Sequence, residues 1–154
     1  MKGDLRMAML LKSLSIAFAA AMLMSGGVFA KDAMYFPVAR IATGDGYKLT
    51  VVQPSIARRD ACVKANTRFT DTLKSGCLTC KIEAASCRTK LVGKERDAAS
   101  GKALPEYVIT AGAVKILVTG KKAAAKSACE QLATSLKGKE IKDAACVPPS
   151  ESKR

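Results

Sequence analysis

Two stretches decide the fold: residues 47–76, YKLTVVQPSIARRDACVKANTRFTDTLKSG, and residues 114–138, VKILVTGKKAAAKSACEQLATSLKG. Each opens on an apolar, β-branched run that suits a strand, then passes a short turn. Each continues into a segment whose small and apolar residues recur at helical spacing. Each carries a central Ala-Cys pair (Ala61-Cys62 and Ala128-Cys129), then a leucine, then a glycine. The chain therefore reads as one strand–helix unit used twice.

Working outward, Pro54-Ser55 supplies a helix start with Ser55 as N-cap, and the first helix is expected from Ile56 to about Ser75. Cys62, Ala65, Phe69 and Leu73 mark its inner face, and Gly76 stands where a C′ glycine belongs. Residues 80–85 alternate as a second strand, and the polar residues 88–102 read as an exposed loop. Residues 107–110 and 113–119 are strand-like, interrupted by Ala111-Gly112, and fit either a hairpin or one bulged strand. Residues 121–137 form the clearest helix, with Ala125, Cys129, Leu132 and Leu136 on one stripe and Gly138 as its stop. A last strand, residues 141–147, ends at Pro148-Pro149. The expected fold class is α+β, a ferredoxin-like βαββαβ sandwich with an antiparallel sheet and both helices on one face. The domain is expected at 47–147, after a lead-in at 31–46 with a short strand near Met34-Tyr35-Phe36, and before a polar tail at 148–154.

Residues 1–30 read as a secretory signal peptide. Lys2, Arg6 and Lys12 make a positive n-region, residues 14–24 an apolar h-region, and Val28-Phe29-Ala30 a small-residue exit before Lys31. The apolar run falls short of the roughly 20 residues that a membrane span needs, and an uncleaved anchor is the rival reading. The net charge of +13 falls to +11 once the three bases and Asp4 leave with the signal. An exported protein this basic is attracted to anionic envelope polymers or to a membrane surface. Its bases are spread out, with pairs at Arg58-Arg59 and Lys121-Lys122 but no block of the kind that marks a nucleic-acid tail. A periplasmic location follows, with an envelope polymer or a partner protein as the expected contact and no nucleic acid.

Val118-Thr119-Gly120 followed by Ala124, Ala128, Leu132 and Gly138 resembles the SPOR-type peptidoglycan-binding domains of bacterial envelopes. Those domains are also exported, βαββαβ and internally repetitive. The resemblance covers the last third of the chain and, more loosely, the first half. It implies a non-enzymatic envelope-binding role. The aromatic residue usual after the strand is missing from both halves, where Ile56 follows Pro54-Ser55 and Lys121 follows Gly120.

The six cysteines, Cys62, Cys77, Cys80, Cys87, Cys129 and Cys146, all follow the signal, which favours disulfides over thiols. Cys77 and Cys80 form one knuckle, but no second knuckle and no histidine complete a zinc site, and Lys81 stands where c-type haem needs histidine. No metal or other cofactor is therefore expected. The topology favours Cys62–Cys87 and Cys129–Cys146 bridges, leaving Cys77–Cys80 as a local loop. Thiol–disulfide exchange at Cys77 and Cys80 is the competing function, although the pair follows a helix instead of opening one.

No histidine means no Ser-His or Cys-His pair, and the acids Asp45, Asp60, Asp71 and Glu83 show no paired-carboxylate spacing, so no catalytic residue is assigned. Lys121 and Lys122, at an expected helix start, and the basic pair Arg58 and Arg59 are the candidate anion-binding residues. The resulting reading is an exported, disulfide-stapled binding module.

Overall fold

Strand alternation builds the centre of the molecule. The computed structural model describes residues 33–137 and 141–150, so the expected signal peptide at 1–30, Gly138 and residues 151–154 lie outside it. Six strands, β1 (Phe36–Ala42), β2 (Tyr47–Val52), β3 (Lys81–Arg88), β4 (Tyr107–Ala111), β5 (Val114–Gly120) and β6 (Ala145–Val147), form one open sheet in the order β3-β1-β2-β5-β4-β6. Every neighbouring pair is antiparallel. Alternate residues point to opposite faces. Ile41, Leu49, Val51, Ile109 and Ile116 thus meet on one face, and Val38, Val52, Val108 and Leu117 on the other.

The first face carries the two long helices, α1 (Arg59–Gly76) and α3 (Lys122–Lys137). Phe69 and Leu73 of α1 join Ala125, Cys129, Leu132 and Leu136 of α3 in one core with that face. The opposite face carries only the short α2 (Gly93–Ala99), whose Ala98 packs with Leu91 and Leu104 against Val38 and Val52. Glu95 of α2 is 5 % exposed. Its two carboxylate oxygens accept from Arg40 Nη2 at 2.9 Å and Arg88 Nη1 at 2.5 Å. The two arginines, on β1 and β3, thereby pin α2 to the sheet. Each charge-assisted hydrogen bond of this kind stabilises by about 1.5–3 kcal/mol.

The fold is α+β with both long helices on one face, as expected, but it is not a four-stranded ferredoxin-like sheet. In each half a strand, a helix and a parallel strand make a split βαβ unit, and here each half supplies its own intervening strand. β1 sits between β2 and β3, and β4 between β5 and β6. The segment expected as a lead-in is in fact β1, whose FPVARIA alternates across the sheet. Ser55 does not cap α1, because Tyr35 and Ile56 exchange backbone hydrogen bonds (2.8 and 2.7 Å) that hold Ile56 extended. The helix starts three residues later, at Arg59, and runs through Gly76. The expected loop 88–102 contains α2. The expected last strand is paired over only three residues, since residues 142–143 form a turn.

The three expected disulfides are present. Cys62–Cys87 ties α1 to β3 and Cys129–Cys146 ties α3 to β6, with Cα atoms 6.0 and 5.5 Å apart. Cys77–Cys80 closes the loop between α1 and β3. By loop length, each long bridge contributes roughly 3 kcal/mol, against roughly 1.5 kcal/mol for the short one. Replacing Cys62 and Cys87 together by alanine, or Cys129 and Cys146 together, is therefore expected to lower unfolding stability by about 2–4 kcal/mol in urea titration. Replacing Cys77 and Cys80 should lower it by about half as much.

Tyr47 provides a pH-dependent test of the core. Its hydroxyl is buried with no hydrogen-bond partner. Burial first, and the Asp45 carboxylate second, push its pKa from 10.0 up to about 12. The raised folded pKa makes its contribution complete below pH 10 and lost as pH rises from about 10 to 12, a change of about 3 kcal/mol. Tyr47→Phe is expected to flatten that alkaline loss and to leave stability at pH 7 unchanged or about 1 kcal/mol higher. Urea titrations at neutral and alkaline pH measure both effects.

Candidate functional site

Because β2 and β5 are antiparallel neighbours and each runs into its own long helix, the starts of α1 and α3 lie at opposite ends of the sheet. The four expected anion-binding residues are therefore not one site. Arg58 and Arg59 stand at the α1 end. There Arg58 Nε and Nη2 donate to the Asp60 carboxylate at 3.0 and 2.8 Å, and those bonds hold the Asp60 carboxyl below its usual range. Arg58 is thus engaged with a carboxylate of its own chain. Lys121 and Lys122 stand exposed at the α3 end.

That second end is the better-built one. β1, β5 and β6 finish there, and β2, β3 and β4 begin there. Between the start of β4, the end of β5, the first turn of α3 and the segment after β6 lies a groove of about 730 Å³. Tyr107, Val118, Ala125, Pro148 and Pro149 give it apolar walls, and Lys94, Glu106 and Lys122 give it charges. Such a volume with mostly apolar walls and a few polar groups suits a small ligand. Lys94 pairs with Oε1 of Glu106, while Oε2 is buried without a donor. Ser150 closes the groove by donating both its N–H (2.8 Å) and its hydroxyl (3.1 Å) to the Leu104 carbonyl.

Cys77 and Cys80 lie at the same end of the sheet. Cys77 is the C-cap of α1, donates its N–H to the Leu73 carbonyl at 2.8 Å, and is 6 % exposed. A helix C-terminus carries the negative end of the dipole, which disfavours a thiolate, so the setting suits a staple better than an exchange centre. Thr79 of this loop packs on the β1–β2 turn, where a Cβ at Gly44 would stand 3.1 Å from it. Among the described residues no group of three or more His, Cys, Asp or Glu is placed to hold a metal ion.

The face that carries the two long helices is basic. On α1, Arg59, Lys64, Arg68 and Lys74 are exposed, and on α3, Lys122, Lys126 and Lys137; the exposed acids of the two helices are Asp60, Asp71 and Glu130. Both helices lie on one side of the sheet, so these charges share one surface. Sequence reading missed the charges of the groove, Lys94 and Glu106, and the pin made by Glu95 with Arg40 and Arg88. All five residues look like solvated charges until the fold brings them together. The signal that bore on Glu95 was its place in GKERDAA, a run of good helix formers inside an expected loop.

Compared with protein-family models, curated proteins and solved structures, the chain matches none.

Gly120 shapes the wall of the groove. Its φ is +145°, and a Cβ there would meet the Gly46 carbonyl oxygen at 2.7 Å and Tyr47 Cα at 2.9 Å. Both contacts are backbone, so neither yields by rotating a side chain. Gly120→Ala is expected to cost about 1–3 kcal/mol, read as a fall in thermal midpoint, with shifts in amide NMR signals centred on Gly46, Tyr47 and Lys122.

Proposed function

We propose that the protein is an exported, non-enzymatic binding module of the bacterial envelope that contacts an anionic component through the outer surface of α1 and α3. The observation that carries this reading is the excess of exposed bases over acids on those two helices. Several like charges on one rigid face attract a polyanion together, where a single surface charge contributes little. The three disulfides support the export half of the reading, because bridges persist in oxidising compartments such as the periplasm. The apolar run of residues 14–24 and the Val28-Phe29-Ala30 exit support it from the sequence. An anionic cell-wall polymer is the first partner to try; an anionic membrane surface or an acidic partner protein would be met by the same charges. The SPOR-type resemblance adds export and the paired strand–helix halves, but the reading rests on charge and staples.

Co-sedimentation with purified cell-wall sacculi, repeated with anionic lipid vesicles, tests this reading. Binding is expected at low ionic strength and should fall steeply as salt rises from about 0.05 to about 0.5 M, where the Debye length drops well below 10 Å. Reversing Lys64 and Arg68 to glutamate is expected to weaken it at least about threefold at low salt without changing the thermal midpoint. Binding that ignores both salt and charge reversal would remove this surface from the account.

A further inference from the structure

Among the described residues the sheet ends in two edge strands, and only one of them is protected along its length. β6 is three residues long and runs into Pro148-Pro149. Short length and proline are devices by which folded proteins stop an edge from pairing. β3 is eight residues long. Its first part is blunted by Lys81, by Glu83 and by a register shift where it meets Arg40 and Ile41. From Ala84 to Cys87 it carries no charge and no proline, and Ala84 and Ala85 are exposed.

The backbone of that stretch is open in a definite pattern. Gln53 N donates to the Pro37 carbonyl at 3.0 Å, so Pro37 faces β2. Backbone groups alternate sides along an antiparallel strand, so Ala39 also faces β2, while Val38 and Arg40 face β3. Their partners, Ser86 and Ala84, are thus the residues bonded to β1. Ala85 and Cys87 point their N–H and C=O groups away from the sheet, with no partner among the described residues. α1 adds a matching strip. Asn66 donates to the Ser86 carbonyl at 2.8 Å, which marks the side of α1 that lies beside β3. Val63 and Thr70, three residues before Asn66 and four after it, share that side, and Thr67 adjoins them. None of these is charged, whereas every other exposed residue of the helix except Ser75 is. Val63 is 49 % exposed. Depletion of charge beside an open strand is the composition of an interface core.

We infer that β3 pairs with β3 of a second copy, antiparallel about a two-fold axis at Ser86. In that register Ala85 N–H donates to the partner's Cys87 carbonyl and Cys87 N–H to the partner's Ala85 carbonyl, and the axis repeats both bonds. Arg88, already held by Glu95, stands opposite the partner's Ala84, so no like charges face each other. A flat run of alanine and serine offers a foreign peptide none of the side-chain pockets that give strand addition its specificity, whereas a second copy matches it rung for rung. Pairing uses up the β3 edge of both copies and leaves the protected β6 edges outside, so growth stops at the dimer. The axis stands perpendicular to the sheet, so the long helices of both copies lie on one side of a continuous sheet. The pairing does not depend on what that side binds.

Sedimentation velocity of the disulfide-bonded protein, with amide hydrogen exchange across a dilution series, tests this dimer. So small a contact belongs among interfaces below about 1,200 Å², and a Kd of about 10–100 µM is expected. In the dilute protein Ala84 and Ser86 should exchange slowly and Ala85 and Cys87 freely; in the concentrated protein all of them should be slow. Ala85→Pro removes only an outward N–H, where an edge strand accepts proline, and should weaken association at least about tenfold. Val63→Lys sets a new cation beside its own copy across the axis and should weaken it at least about threefold. If Ala85→Pro also lowers the thermal midpoint, Val63→Lys decides alone, because Val63 lies on the helix and outside the ladder. Three results would overturn the inference: a single monomeric species up to about 1 mM, a dimer in which Ala85 and Cys87 still exchange freely, or association indifferent to both substitutions. Protection of those two amides by an added valine–threonine peptide, with the protein itself still monomeric, would also overturn it and give the edge to a foreign strand. Salt screens the repulsion between two basic copies and should strengthen the dimer, the opposite of its effect on polyanion binding. Failure of the dimer and failure of the charged surface are therefore read separately.

Discussion

The pairing of β2 with β5 is the constraint on which the rest of the structure depends. It runs from Tyr47↔Gly120 to Val52↔Lys115 and joins the two halves of the chain at the middle of the sheet. Leu49↔Val118 and Val51↔Ile116 sit at its core-facing positions, all at most 1 % exposed. A one-residue slip would turn these side chains to the wrong face, so burial fixes the register. The antiparallel sense then dictates the placement of everything attached. Each strand leads into its own long helix, so α1 and α3 run in opposite directions across one face and begin at opposite ends. The charge layout follows from this single pairing.

The composition of the core shows why the fold carries staples. Aromatic residues make up 5 % of the chain and tryptophan is absent, so the core is filled with Ala, Val, Ile and Leu, which bury less area per residue. Cys62 and Cys129 are fully buried and serve both as core side chains and as covalent ties. Two long bridges at roughly 3 kcal/mol each are a large share of the 5–15 kcal/mol typical of a domain. They join each helix to the outermost strand of its half, β3 or β6, the sheet edges that strand pairing secures on one side only. The sheet centre is held by pairing and burial, and its margins by covalent bonds.

Much of this was legible in the residues, and the parts that were not have physical causes. Both long helices, β2, β5 and the three cysteine pairs follow from periodicity and from the recurrence of a strand–helix unit. β1 was hidden because Pro37 and Arg40 weaken the apolar alternation of FPVARIA, and Arg40 makes sense only opposite Glu95, 55 residues away. The late start of α1 was hidden because Ser55 carries a good capping signal, which the Tyr35–Ile56 backbone bridge overrides. The groove was least legible of all. Lys94, Glu106, Lys122 and Pro148 come from four separate segments, and no local pattern connects them.

The two halves share a topology, and the points at which they differ locate the candidate site. In the first half, six residues separate β2 from α1, and Ile56 within that link is tied back to Tyr35. The link stands in front of the α1 start, and Arg58 is bound to Asp60 there. Cys62 accordingly falls in the first turn of α1, whereas Cys129 lies midway along α3. In the second half a single residue separates Gly120 from α3, a passage made possible by the close approach of Gly120 to Gly46. The space that the link occupies in the first half is instead bordered in the second by Glu106 and the Pro148-Pro149 segment. A repeated unit whose copies are equally stapled but unequally linked keeps its scaffold twice and borders this groove with its second copy. That asymmetry sets the groove at the α3 end, next to Lys122, and leaves the basic helical face as a separate surface.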